Sequence, residues 1–102
     1  MKKKIDSYLG FAKKSRKLMT GYNTCIFGLR RGQIKLVILA EDLAQNTIDK
    51  FQKLTEAAGV PLRIYGTREE LSKASGEVDK GVYGVADTGF AAVIQKEIDE
   101  ME

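Results

Sequence analysis

Apolar positions along this chain switch repeatedly between a helical and an extended period. Ile5, Tyr8, Leu9 and Ala12 stand at helical spacing and predict an amphipathic helix over residues 3–14. Leu18-Met19 is a short strand candidate. Tyr22, Cys25, Ile26 and Leu29 fall at i, i+3, i+4 and i+7, a second helix. Arg30-Arg31-Gly32 ends it, with cations near the negative pole of the helix dipole and a glycine just past it. Leu36-Val-Ile-Leu-Ala40 is apolar on both faces and too short for most helices, which predicts a buried central strand.

Asn46 reads as the N-cap of a third helix, with Asp49 in its first turn; Ile48, Phe51, Leu54 and Ala58 form its buried stripe and Gly59 stops it. Val60-Pro-Leu-Arg-Ile-Tyr65 is a further strand, its proline near the start where no ladder donor is lost. Thr67-x-x-Glu70 is a capping box opening a short helix through Ala74. Gly76 to Gly81 is a loop, and Val82 to Ala86 another strand. Phe90, Ile94, Ile98 and Met101 mark a last helix capped by Asp87 or Thr88. Strands alternating with helices predict an α/β fold, a three-layer α/β/α sandwich with a mixed sheet of about four strands. At 102 residues, with no repeat, linker or low-complexity segment, residues 1–102 are expected to form a single domain.

Composition narrows the class. A hydrophobic content of 43% with 30% charged residues suits a soluble globular protein. The longest apolar run, Leu36 to Ala40, is far too short to span a membrane. The opening lysines are followed by Asp6, Ser7 and Lys13-Lys14 rather than an apolar segment, so no export signal is read and a cytoplasmic location is expected. One cysteine precludes an internal disulfide and suits a reducing compartment.

Net charge is only +3, but it is segregated. Residues 1–35 carry ten Lys/Arg and one acid, Asp6, a net of +9; residues 36–102 carry seven Lys/Arg and thirteen acids, a net of −6. That polarity predicts a basic surface built from the first third of a monomeric protein, facing nucleic acid or another anion. Lys2 to Lys4 have a second reading, a solubilising terminus.

The second helix carries the candidate chemistry. Asn23, Phe27, Arg30 and Arg31 lie at i, i+4, i+7 and i+8, opposite the buried stripe, with Thr24 beside them. An amide near a helix start reads a base edge, an aromatic stacks on a base, and arginines hold phosphates. Taken on these residues alone, a surface helix with solvated arginines and one exposed phenylalanine is the readier reading. Catalysis finds little support. Cys25 is near a helix start, where a thiol pKa is lowered, but it falls on the buried stripe and the chain has no histidine to serve as its base. Glu41-Asp42 is a carboxylate pair with no companion to complete an acid–base or metal site, and reads better as a solvated loop. Gly21-x-Asn-Thr has the spacing of neither a Walker loop nor a dinucleotide fingerprint.

Gly21-x-Asn23, Arg31-Gly32-x-x-Lys35-Leu-Val-Ile-Leu-Ala-Glu-Asp42, Asn46-Thr47, Gly59-Val-Pro61, Glu70-Leu71 and Ala74-x-Gly76 resemble, in order and interval, the kink-turn-binding ribosomal proteins of the L-seven-Ae and L-thirty-e type. Within that family the chain is similar to the short bacterial YlxQ-like branch. The resemblance implies a non-catalytic RNA-binding protein of the translation apparatus that works without cofactor, metal, membrane or small-molecule substrate. Its partner would be a structured RNA, ribosomal or kink-turn-containing, with the ribosome as the larger assembly. In the family, the start of the second helix enters the widened groove of a kinked RNA and contacts sheared G·A pairs, while a loop before the last strand covers an extruded nucleotide. Carried over, Gly21 allows close backbone approach, Asn23 bonds a guanine edge, and Arg31 and Lys35 take phosphates. Gly76 to Lys80 is the covering loop, with Val78 its apolar contact. The sequence departs from the family pattern at Thr24, where an acidic or amide residue is usual, and at Phe27, where a lysine is common. Glu77 and Asp79 put acids in the covering loop. These departures point to a relaxed or different RNA target, and the exposed Phe27 with the acidic remainder supports an alternative, a protein-interaction module on the same fold.

Overall fold

A strand buried on both sides needs a layer on each face, and β2 (Leu36–Leu39) has them, every one of its residues being buried. The computed structural model describes residues 3–101. Lys2 of the proposed solubilising terminus lies outside them, while Lys4 is an exposed position of the first helix. The element order is α1 (Lys3–Lys14), β1 (Leu18–Thr20), α2 (Tyr22–Arg30), β2, α3 (Gln45–Ala58), β3 (Leu62–Ile64), α4 (Arg68–Ser75), β4 (Val82–Val85) and α5 (Thr88–Asp99). The four strands lie in the order β1-β4-β2-β3; β4 is antiparallel to both of its neighbours, and β2 and β3 are parallel. The expected mixed four-stranded sandwich is therefore the observed one.

Strand alternation sorts the core into two halves. Leu36, Ile38, Tyr83 and Val85 pack with Ile5 and Leu9 of α1, Leu71 of α4 and Ala91, Ile94 and Ile98 of α5. Val37, Leu39 and Val82 pack with Cys25 and Leu29 of α2, Ile34, and Ile48 and Phe51 of α3. Each fully buried Leu, Ile or Val contributes about 1.5–3 kcal/mol against an exposed position. α2 seats closely on the sheet because two glycines leave room for the chain beneath it. A Cβ on Gly28 would lie 2.8 Å from Met19 Sδ, and one on Gly84 only 2.4 Å from Ile34 Cδ1.

Several local expectations change. α3 is entered from Ala44 with no side-chain cap, so Asn46 is an exposed first-turn residue instead of the N-cap. Asp49 instead accepts a hydrogen bond from Gln45 Nε2 (2.9 Å). The buried stripe of α3 runs through Ile48, Phe51 and Thr55, and Ala58 is exposed; Thr55 is tolerated inside because its hydroxyl donates to Phe51 O (2.8 Å). β3 is shorter than the apolar run Val60 to Tyr65, and Met101 lies beyond α5, half exposed. On α2, Tyr22 is 39% exposed, its ring edge-on to Phe51 at 5.5 Å. The capping box Thr67–Glu70 is present in both directions, and Asp87 caps α5 by accepting from Phe90 N–H (2.8 Å).

Candidate nucleic-acid interface

The start of α2 is set by Gly21. Its backbone is left-handed (φ 102°), and its N–H donates to Val82 O (2.8 Å), tying the helix start to the first residue of β4. No side chain caps the helix. Asn23 therefore does not cap; it is the second residue of α2, exposed beside exposed Thr24. The first-turn N–H groups of Tyr22, Asn23 and Thr24 have no acceptor within the helix, which leaves its positive end open beside an amide and a hydroxyl.

The loop between α4 and β4 reaches the same place. A Cβ on Gly21 would lie 4.0 Å from both Lys80 Nζ and Thr24 Oγ1, so the Lys80 ammonium stands at the helix start. Its backbone is pinned from below. Ser72 Oγ accepts from Lys80 N–H (2.9 Å), and the hydroxyl of buried Tyr83 donates to Lys80 O (3.1 Å). Lys80 joins the candidate site, whereas the sequence named it only as the end of the covering loop. The signal was the pairing of Thr20 with Tyr83, a tertiary fact that sets Lys80 beside Gly21. The two loop acids are turned to cations. Glu77 pairs with Lys13 of α1, and Asp79 lies 3.6 Å from Arg68 Nε of α4. Val78 is 83% exposed and borders a hollow with Arg68 and Ser72 of α4, not the start of α2.

The far end of α2 lies about 13 Å away, nine residues at 1.5 Å each. Phe27 is 57% exposed, and the guanidinium of Arg31 lies over its ring, 5.0 Å from the centroid. That cation–π contact covers one face of the ring and fixes the arginine, a contact worth about 0.5–1 kcal/mol at an exposed site. Arg30 is the exposed last residue of the helix, and exposed Lys35 sets its Nζ 3.4 Å from Gly32 O. Gly21, Asn23, Thr24, Phe27, Arg30, Arg31 and Lys35 thus run along α2 and the turns at its two ends, with Lys80 added and Val78 set apart.

The other chemical candidates resolve into structure. Cys25 is fully buried, its Sγ 3.5 Å from Met19 O, and burial pushes its thiol pKa up to about 12, so it is a neutral core residue at ordinary pH. Asp42 Oδ1 accepts from Arg68 N–H (3.0 Å), joining the loop after β2 to the first residue of α4. Among the described residues, no group of three or more His, Cys, Asp or Glu is arranged to hold a metal ion.

Comparison with known proteins agrees with this architecture. RNA-binding protein YlxQ of Bacillus subtilis is 34% identical over 83 residues, spanning 81% of this chain and 83% of its own. RNA-binding protein YlxQ of Enterococcus faecium is 30% identical over 90 residues, spanning 88% and 86%. A solved Bacillus halodurans protein, described as of unknown function, superposes with a TM-score of 0.91 at 33% identity over 94% of this chain and 97% of its own. A Giardia lamblia 15.5kD RNA binding protein shares the fold, with a TM-score of 0.80 at 19% identity over 95% and 86%. The model of the ribosomal protein L7Ae/L30e/S12e/Gadd45 family matches residues 3–94, nearly the whole described chain, and the protein belongs to that family.

Proposed function

We propose that the protein is a non-catalytic, ribosome-associated RNA-binding protein that recognises a kink-turn or related structured RNA through the N-terminal end of α2. The observation that carries this reading is the open start of that helix. Uncapped N–H groups, exposed Asn23 and Thr24, a left-handed Gly21 and the Lys80 ammonium meet there on a surface with little side-chain bulk. A guanine edge offers acceptors and donors that an amide matches, and the ammonium and helix dipole suit a nearby phosphate. RNA binding is named for both YlxQ relatives, which agrees. The pairing of Glu77 and Asp79 with Lys13 and Arg68 lessens the repulsion that their charges would exert on RNA.

The test is a fluorescence-anisotropy titration of a kink-turn RNA, and of the same strands with the sheared G·A pairs replaced by Watson–Crick pairs. Tighter binding to the kink-turn is expected. Equal affinity for both would refute kink-turn recognition, and binding insensitive to salt would refute contact through phosphates. A second reading, a protein-interaction module, draws on the apolar hollow of Tyr8, Phe11, Phe90 and Val93 between α1 and α5, on the opposite side of the sheet. A complex held there would persist at high salt.

A further inference from the structure

Four of the five helices end in the same backbone device. After α1, the N–H of Arg16 donates to Lys13 O (3.1 Å) and that of Lys17 to Ala12 O (2.8 Å). After α2, Gly32 N–H donates to Leu29 O (3.2 Å) and Gln33 N–H to Gly28 O (2.9 Å). After α3, Gly59 N–H reaches Glu56 O (3.3 Å) and Val60 N–H reaches Thr55 O (2.9 Å); after α4, Glu77 N–H returns to Ser72 O past Gly76 (2.9 Å). Such an ending needs a left-handed residue, and glycine is the usual one because a Cβ is disfavoured there. The φ angles are 70° at Gly32, 70° at Gly59, 78° at Gly76 and 61° at Arg16. Three times the chain uses glycine, and once it uses arginine.

Helix stability is a weak reason for that exception. Lys13 and Lys14 already supply cations to the last turn of α1, where the dipole favours them. Arg16 is exposed, and among the described residues its guanidinium has no hydrogen-bond or ion-pair partner. Its neighbourhood gives a better reason. Lys17 O accepts from Ala86 N–H, and Lys35 N–H donates to Val85 O, both at 2.7 Å. Lys17 and Lys35 therefore flank the end of β4 two strand spacings apart, about 10 Å. Lys17 lies two residues before Met19, which packs in the α2-side core, and Lys35 reaches back to the end of α2. Lys14, Arg16, Lys17, Arg30, Arg31 and Lys35, all exposed, thus collect at one end of the sheet. Asp87, the acid next in chain, is occupied in capping α5 through its Oδ2.

We propose that this cluster is a second RNA contact, one that holds the phosphate backbone of the duplex stem next to the structure read at the start of α2, with Arg16 retained at a glycine position for its charge. The proposal rests on the RNA-binding reading but not on kink-turn recognition, because a row of cations holds a plain duplex as well as a kinked one.

The test compares wild type, Arg16→Gly, Arg16→Gly/Lys17→Ala and a charge-matched control, Lys50→Ala/Lys96→Ala. The probes are a plain RNA duplex two helical turns long and a kink-turn with stems of the same sequence. Arg16→Gly should melt no lower than wild type, because glycine suits the backbone, yet bind the duplex more weakly. The double variant should lose several-fold affinity for both probes and flatten the dependence of log Kd on log salt by about 0.9 per phosphate contact removed, while the control leaves it unchanged. The preference for the kink-turn over the duplex should stay as in wild type. Unchanged duplex binding in the double variant, an equal loss in the control, or wild type lacking salt-sensitive duplex binding would each overturn the proposal. A lower melting temperature for Arg16→Gly would overturn the assignment of Arg16. Cluster-dependent duplex binding with no kink-turn preference in wild type would support the second contact while refuting the kink-turn reading.

Discussion

Replacing Asn23 with alanine separates recognition from folding, because its side chain does not cap α2. Loss of an N-cap would cost about 0.5–2 kcal/mol. Asn23 is the second residue of α2, exposed, and makes no capping bond, so that cost does not apply. Alanine is the better helix former by at most about 0.7 kcal/mol. The melting temperature should therefore hold or rise slightly. Binding should change in the opposite sense. By analogy with DNA readout, an amide paired with a base edge discriminates by about 1–3 kcal/mol, or about 5- to 150-fold. Asn23→Ala should lose most of the preference for a kink-turn over a Watson–Crick duplex of equal length, while its salt-sensitive background binding persists. Anisotropy titrations across a salt series, with circular dichroism melts of the same samples, provide both measurements. Asn23→Ser, which removes the donor–acceptor pair of the amide, should behave alike. Full preference in both variants would mean that Asn23 does not read RNA. A fall in melting temperature matching the loss of binding would mean that it acts through the fold.

Four further outcomes follow from the same geometry. Lys80→Ala should weaken binding to all RNAs and flatten the salt dependence, and Lys80→Arg should restore most of it; no change in either would remove Lys80 from the interface. Phe27→Lys removes the ring beneath Arg31 and restores the family's usual cation, so affinity for kinked RNA should rise in titrations if the family pose holds, and a fall would favour the ring as a contact. Native Cys25 should react with thiol reagents only as fast as the protein opens. Its pKa is raised by burial from 9.0 to about 12, so the proton is held more tightly when folded and its stabilising contribution is complete below about pH 9. That contribution should be lost as pH climbs from 9 towards 12, and Cys25→Ala should show a shallower alkaline decline in urea midpoints than wild type. Gly84→Ala places a methyl 2.4 Å from Ile34 Cδ1 and should cost about 1–3 kcal/mol by overpacking, with calorimetry showing partial recovery when Ile34→Val removes that carbon.

The fold was legible because the apolar pattern is strong wherever burial is deep. Leu36 to Ala40, the 3–14 helix and the stripe Cys25–Leu29 needed only periodicity, and the capping box at Thr67 needed only its spacing. The misread points were those decided by what lies across the gap. Asn46 has a capping side chain, yet the chain turns into α3 two residues earlier than a cap at that position would allow. Ala58 fits the helical period, but as the last residue of α3 it is exposed, and Thr55 takes the inward position by bonding back to Phe51 O. At the site, the face on α2 could be read because its members are near neighbours in sequence, on one helix and the turns that flank it. Lys80 could not, since its closeness to Gly21 depends on β4 pairing with β1 over more than sixty intervening residues.

Charge shows most clearly how sequence and space differ here. Counted along the chain, residues 36–102 are acidic, and the covering loop with its Glu77 and Asp79 looks hostile to a phosphate. In the folded protein those acids lie against Lys13 and Arg68, while Lys80 from the same loop stands by the open end of α2. The antiparallel pairing of β1 and β4 does both things at once. It carries the end of the loop to the helix start and the α1–β1 turn to the opposite end of the sheet, where the pairing of β2 with β4 sets Lys35. Helix α2 spans the two, seated by Gly28 and Gly84, so a small change in its height above the sheet would alter both ends together. Packing at Ile34 and the presentation of Asn23 are therefore one problem: the depth of the core under α2 sets where its amide and its cations stand relative to each other.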